Sequence, residues 1–132
     1  MAEVADVLAT YLASQGVGVV GTDLYIDWMP DAVDAVVSVY RVPGAGPSYF
    51  MDKSYPVNES RVQVMTRGAP LDYQGPRAKA ATVAALLHPI VGQTVAGMRI
   101  LAMVATDDPH LFERDAKERC TFTQYFEVTH ET

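Results

Sequence analysis

Residues Gly16–Gly21 read GVGVVG, three glycines at the spacing of G-x-G-x-x-G. If this loop cradles a dinucleotide pyrophosphate, the chain is a doubly wound α/β domain. That fingerprint needs a strand before the glycines, a helix after them and an acid about 20 residues further on. Neither flank complies. On the N-terminal side Val4, Val7, Leu8, Tyr11 and Leu12 recur at i, i+3, i+4, i+7 and i+8, the apolar face of a helix over Val4–Ser14. Gly16 then reads as the cap that ends this helix, at a left-handed position open to glycine without penalty. On the C-terminal side TDLYIDWMPD carries a proline and is poor helix material. The glycines mark a helix stop and a turn into an extended segment.

Working outward, Leu24 to Trp28 reads as a short extended stretch closed by Pro30. AVVSVYRV (Ala35–Val42) is rich in β-branched residues and predicts a buried strand. RVQVMTRG (Arg61–Gly68) alternates, with Val62, Val64 and Thr66 on one face and Arg61, Gln63, Met65 and Arg67 on the other. This predicts a strand with one wet or partner-facing side. QGPRAKAATVAALLH (Gln74–His88) predicts a helix with Pro76 in its first turn and Pro89 beyond its end. Its alanines predict close packing against a neighbouring surface. RILAMVAT (Arg99–Thr106) predicts a further strand, and Asp108-Pro109 a turn. RCTFTQYFEVTH (Arg119–His130) alternates over a long run, with Cys120, Phe122, Phe126 and Val128 on one face. The order predicts one α+β domain over residues 1–132: a mainly antiparallel sheet with both helices packed on one face.

Between the first two strands lies PGAGPSYFMDKSYPVNES (Pro43–Ser60). Its prolines and glycines predict a long loop without regular structure, and such loops in compact domains are usually functional or disordered. Tyr49, Phe50, Met51 and Tyr55 are costly to leave in water, at roughly 1.5–3 kcal/mol for each such side chain fully buried. They are candidates for contact with a partner. Arg61 and Arg67 on the polar strand face, and Arg114, Asp115 and Arg119 beside a turn, complete the candidate interface residues. Arg114, Asp115, Lys117 and Arg119 read either as a solvated charged hairpin worth little in stability or as a subunit contact in which Arg119 and Asp115 meet the next protomer and Arg119→Glu weakens assembly without unfolding the subunit.

Composition narrows the function. Sixteen acidic against ten basic residues leave a net charge of −6, which argues against tight nucleic-acid binding. The single cysteine, Cys120, excludes an intramolecular disulfide and a multi-cysteine zinc site. Its place in an alternating strand beside Phe122 and Phe126 reads as a buried apolar thiol. The N-terminal stretch is acidic and amphipathic, unlike a secretory signal, and no apolar run approaches a membrane span. His88, His110 and His130 lack metal-ligand spacing, and Asp107-Asp108 and Asp115 read as turn and salt-bridged acids. No serine has a nucleophile-elbow context, and no Walker or calcium-loop pattern occurs. No catalytic residue, cofactor or metal is expected.

The order of features resembles a known family. DLYIDWMPDAVDAVVSVY places a D-L-x-x-x-x-M-P-D segment before a hydrophobic strand. A Gly/Pro-rich stretch, the strand VQVMTRG, an alanine-rich helix, the segment DDPHLFERDAKER and the final strand CTFTQYFEV follow. This is similar to the minor capsid and tail-terminator proteins of bacteriophages with long, non-contractile tails, over nearly the whole chain. The closest pieces are Met29-Pro30-Asp31, Val62 to Gly68, and the pair Asp115 and Arg119. ERDAKER departs from the pattern in lacking a glycine in its turn.

The resemblance implies an α+β fold and a structural role without enzymatic activity. It implies a homo-oligomeric ring, typically a hexamer, on the last ring of the tail tube, located at the head–tail junction of the virion and assembled in the host cytoplasm. Such a ring stops tube polymerisation and meets a head-side connector or stopper protein. DNA passes through its lumen without specific binding, which an acidic wall would favour. The alternatives are a head-completion or connector protein, or a small-molecule-binding or enzymatic α+β domain.

Overall fold

The computed structural model describes residues 3–49 and 56–131, with the backbone alone for 43–49 and 56. Two helices and seven strands follow in the order α1 (Val4–Ser14), β1 (Leu24–Ile26), β2 (Val36–Tyr49), β3 (Pro56–Arg67), α2 (Gln74–Leu87), β4 (Ile90–Val95), β5 (Met98–Ala105), β6 (His110–Arg114) and β7 (Cys120–Glu131). They build one sheet in the order β1-β2-β3-β7-β5-β4, with β6 paired to the first half of β7. β1 runs parallel to β2, and every other pairing is antiparallel.

The opening stretch behaves as its flanks require. Glu3 and Asp6 form a capping box at the start of α1. At its end Val17 donates its N–H to the Leu12 carbonyl at 3.0 Å and Gly16 to that of Ala13 at 3.1 Å, with Gly16 at φ +82°. These are the two bonds of a Schellman cap. Val17 and Leu12 are both buried, which adds the apolar contact that accompanies the motif. Asp23 closes the remaining glycines from within, accepting the Val19 N–H at 2.7 Å.

Register fixes which side chains share a face. Val39 faces Val64, Val62 faces Phe126, and Val128 faces Met103. All of these are buried in one apolar cluster with Leu8 and Leu12 of α1 and Val83 and Leu87 of α2. Both helices therefore lie on the same side of the sheet, as the strand patterns predict. At roughly 1.5–3 kcal/mol for each large aliphatic side chain buried, this single layer is the main source of stability. Next to it Ala80 packs on Cys120 and Phe122, so the alanine face of α2 sits close to the sheet and the cysteine is buried.

Two expectations need correction. The segment Pro43–Ser60 is not a loop without regular structure. β2 continues through Tyr49 and β3 begins at Pro56, pairing Gly46 with Glu59 and Tyr49 with Pro56 after an irregularity between Val42 and Gly46. β1 reaches only as far as Val39 on the outer side of β2, so Pro43 and Pro47 sit where no further strand asks for their N–H. Proline is tolerated at such an edge. Phe50, Met51 and Tyr55 lie outside the described residues. The second correction is that the sheet face opposite the helices is not uniformly wet. Gln63, Arg67, Thr121 and Thr123 are buried there, and Gln63 donates to the Thr123 hydroxyl at 2.9 Å. Arg61 and Glu127, 3.4 Å apart and half exposed, keep the expected polar surface.

Candidate functional site

The connection from β1 to β2 crosses this second face without forming a helix or strand. Its backbone carbonyls have no ladder to join, and buried carbonyls need partners. Side chains supply them. The Ser38 hydroxyl donates to the Trp28 carbonyl at 2.6 Å. Arg67, at the end of β3, donates to the carbonyls of Pro30, Val33 and Asp34. The two arginine nitrogens thus replace a missing strand.

Arg119 completes the clamp from the β6–β7 turn. Its side chain is 2% exposed, and its Nη1 donates to the Asp31 carbonyl at 2.9 Å. Nη2 lies 2.6 Å from the Asp31 carboxylate, Nη1 3.3 Å from that of Asp34, and Nε 2.8 Å from that of Asp115. Lys117 adds a second cation, 2.8 Å from Asp31. A planar guanidinium with five donors fits this arrangement where an ammonium could not.

Asp115 also builds the turn that carries Arg119. Its carboxylate accepts the N–H groups of Lys117 and Arg119, both at 3.0 Å. Glu118 takes the left-handed position, at φ +62°. The glycine missing from ERDAKER is thus replaced by a strained glutamate, and the Asp115 carboxylate does the capping.

The electrostatics follow from the contacts. Hydrogen bonds from Lys117 and then Arg119 hold the Asp31 carboxyl down to about 2, from an ordinary 3.8. Asp115 is lowered by Arg119. Arg119 is raised, chiefly by Asp115. Burial, and then the charge of Arg119, pull Arg67 down. Every ionised group is held by an opposite charge or a carbonyl dipole, and the site holds no free nucleophile or proton-transfer pair. Among the described residues no group of three His, Cys, Asp or Glu side chains is placed to hold a metal ion. The arrangement is a fastener.

The remaining candidates are dispersed. Arg114 is exposed on β6 and lies 3.5 Å from Glu118. Arg61 is on the far half of β3, and Tyr49 ends β2. Arg67 and Arg119 spend their donors inside the chain, so any part they take in a subunit contact is through the segment they position. Sequence reading missed the pair Ser60 and His130. His130 is buried, with Nε2 3.0 Å from the Ser60 hydroxyl and Nδ1 3.0 Å from the Glu131 carbonyl. With Nδ1–H donating to the carbonyl, the neutral ring leaves Nε2 to accept from Ser60. The i, i+2 spacing of His130 from Val128, on the buried face of β7, was the available signal.

The three pieces Met29-Pro30-Asp31, Val62 to Gly68, and Asp115 with Arg119 meet in this one clamp. Residues 11–132 match the family described as bacteriophage tail terminator protein. The chain belongs to that family. As a tail terminator it keeps the clamp wholly within the matched span. Among curated proteins none matches the chain in sequence. Among solved structures this tail terminator is similar to a chain from the virion of a native gene transfer agent particle. The TM-score is 0.59 at 16% identity, over 95% of this chain and 84% of that one. At that identity the likeness is one of fold.

Proposed function

We propose that this protein is a structural virion subunit that forms a ring, in the expected case a hexamer, on the last ring of the tail tube. There it stops tube polymerisation and presents a face to a head-side connector or stopper protein. The observation that carries the reading is the family match over nearly the whole chain, with all three motif pieces gathered in one structural clamp. The likeness in fold to a chain of a virion particle supports it. The net charge of −6 suits a lumen through which DNA moves without sticking. The exposed Arg61 and Arg114, and the β2–β3 arm with Tyr49 at its end, are proposed for contact with a neighbouring subunit or the tube, as are Phe50, Met51 and Tyr55. The subunit acts without catalysis, at the head–tail junction, after assembly in the host cytoplasm.

The test is a tube-growth assay. Purified tail tube protein is allowed to polymerise with and without this chain, and tube lengths are read by negative-stain electron microscopy. Capping gives shorter tubes whose length falls as the chain is added. Length distributions that do not change overturn the reading.

A further inference from the structure

Leu71 combines two costs. It is 83% exposed, and its backbone sits at φ +63°, a left-handed region that disfavours an L-residue. Its N–H is held by the Glu118 carbonyl at 2.8 Å, beside the β6–β7 turn. Tyr73 stands edge-on to Phe122, with ring centroids 5.3 Å apart, and Phe122 is the register partner of Leu111 on β6. Leu71, Tyr73 and Leu111 are thus exposed apolar residues on the β6 side of the sheet, with Tyr73 and Leu111 both beside Phe122. Exposed patches of this kind mark contact sites.

A second patch lies at the other edge. Val20 bridges to Leu24 of β1, and Val19 beside it is 62% exposed. Trp28, 58% exposed, packs edge-on against Tyr25 of β1, with centroids 5.5 Å apart. One row of register partners joins the two edges: Leu24, Val37, Thr66, Phe122 and Leu111. The patches thus stand at the same level on opposite sides of the sheet. Their charges differ as well. Arg77 lies 6.0 Å from the Tyr73 ring on the β6 side, and Asp23 lies beside Val19 on the β1 side. Neither makes an ion pair among the described residues.

We infer that these two edges are the two halves of a head-to-tail contact between copies of this chain, the β6 edge of one subunit against the β1 edge of the next. Two different patches on opposite edges of one chain make a heterologous interface, whose repetition gives a ring where the rotation closes and a filament where it does not; the ring reading selects the first. A self-complementary dimer would need one patch only. A second copy also supplies the acid for Arg77 and the base for Asp23. The inference rests on the ring reading and assigns its surfaces.

The experiment uses one lesion on each edge. Leu71→Asp places a charge in the first patch at a position where Asp tolerates the left-handed backbone. Val19→Asp does the same in the second, so that the two altered edges repel each other. Sedimentation velocity is run with and without tail tube, and circular dichroism checks that each variant is folded. Wild type should sediment as a ring, each variant alone as a monomer, and the equimolar mixture as a 1:1 dimer, because one intact pair of edges survives. A ring from either variant alone, or a mixture that stays monomeric beside ring-forming wild type, overturns the assignment and leaves the ring reading standing. Wild type that stays monomeric even with tail tube overturns the ring reading and this inference with it.

Discussion

The guanidinium of Arg119 lies 2.6 Å from the carboxylate of Asp31, 88 residues away in the chain. This contact ties the β6–β7 turn to a segment that has no regular structure of its own. Truncating Arg119 to Ala removes its bonds to Asp31, Asp34 and Asp115 at once, while the exposed Asp31 and Asp34 regain water. We expect a loss of about 2–3 kcal/mol on the scale of charged hydrogen bonds, with Arg119→Lys intermediate because it keeps the charge and loses the fork. Urea unfolding of the three proteins measures this. The same geometry predicts that Arg119→Glu, with three carboxylates already around it, unfolds the subunit before any question of assembly arises. Equal midpoints for wild type and Arg119→Ala would refute the clamp.

Acid should weaken the fold through Asp31. Its carboxyl titrates at about 2 in the folded chain against an ordinary 3.8, so the unfolded chain takes up the proton first. The stabilising contribution is complete above about pH 4 and is lost as pH falls through about 2. Asp115, lowered by Arg119, acts in the same direction. Denaturant midpoints measured from pH 5 to pH 2 should fall in wild type and fall less steeply in Asp31→Asn. Parallel curves would show that the pairing contributes nothing to the acid limb.

Gly68 follows the clamp residue Arg67 and touches the start of α2. A Cβ at Gly68 would stand 2.6 Å from both Cγ and Cδ of Pro76. A proline ring cannot swing away as a flexible side chain would. Gly68→Ala should cost about 1–3 kcal/mol, the range for overpacking. The loss should be smaller in Gly68→Ala combined with Pro76→Ala. Thermal unfolding of single and double variants reads the coupling.

Two left-handed residues predict opposite signs. Gly16 at φ +82° has open space around its missing Cβ, so Gly16→Ala pays only for backbone conformation and should cost about 1 kcal/mol. Glu118 at φ +62° already carries that strain, and Glu118→Gly should gain about 0.5 kcal/mol after the entropy of glycine is set against it. The exposed Arg114–Glu118 pair, 3.5 Å apart, contributes too little to reverse the sign. Chemical denaturation that destabilises both variants equally would contradict this.

Elements whose residues divide by type into an apolar and a polar set at a regular period were readable in advance. α1 has its apolar stripe and Gly16, and β3 and β7 alternate. The two missed strands have no such division. β6, His110–Arg114, is exposed along its whole length, and β4 is buried only at its two ends, Ile90 and Val95. Pro43 and Pro47 conceal the continuation of β2, because their effect depends on whether a neighbour pairs with the strand's outer side. The bond between Asp115 and Arg119 is local and lies within reach of sequence reasoning. Asp31 is not local to it, and burial of Arg119 needs the crossing of Asp27–Asp34 over the sheet, which no periodicity encodes.

The most direct measurement is cryo-electron microscopy of tails assembled with this chain. The account predicts one ring of this fold at the head-proximal end of the tube, with the β6 edge of each copy against the β1 edge of its neighbour. Its presence along the tube, or its absence from tube ends capped by another protein, would contradict the account.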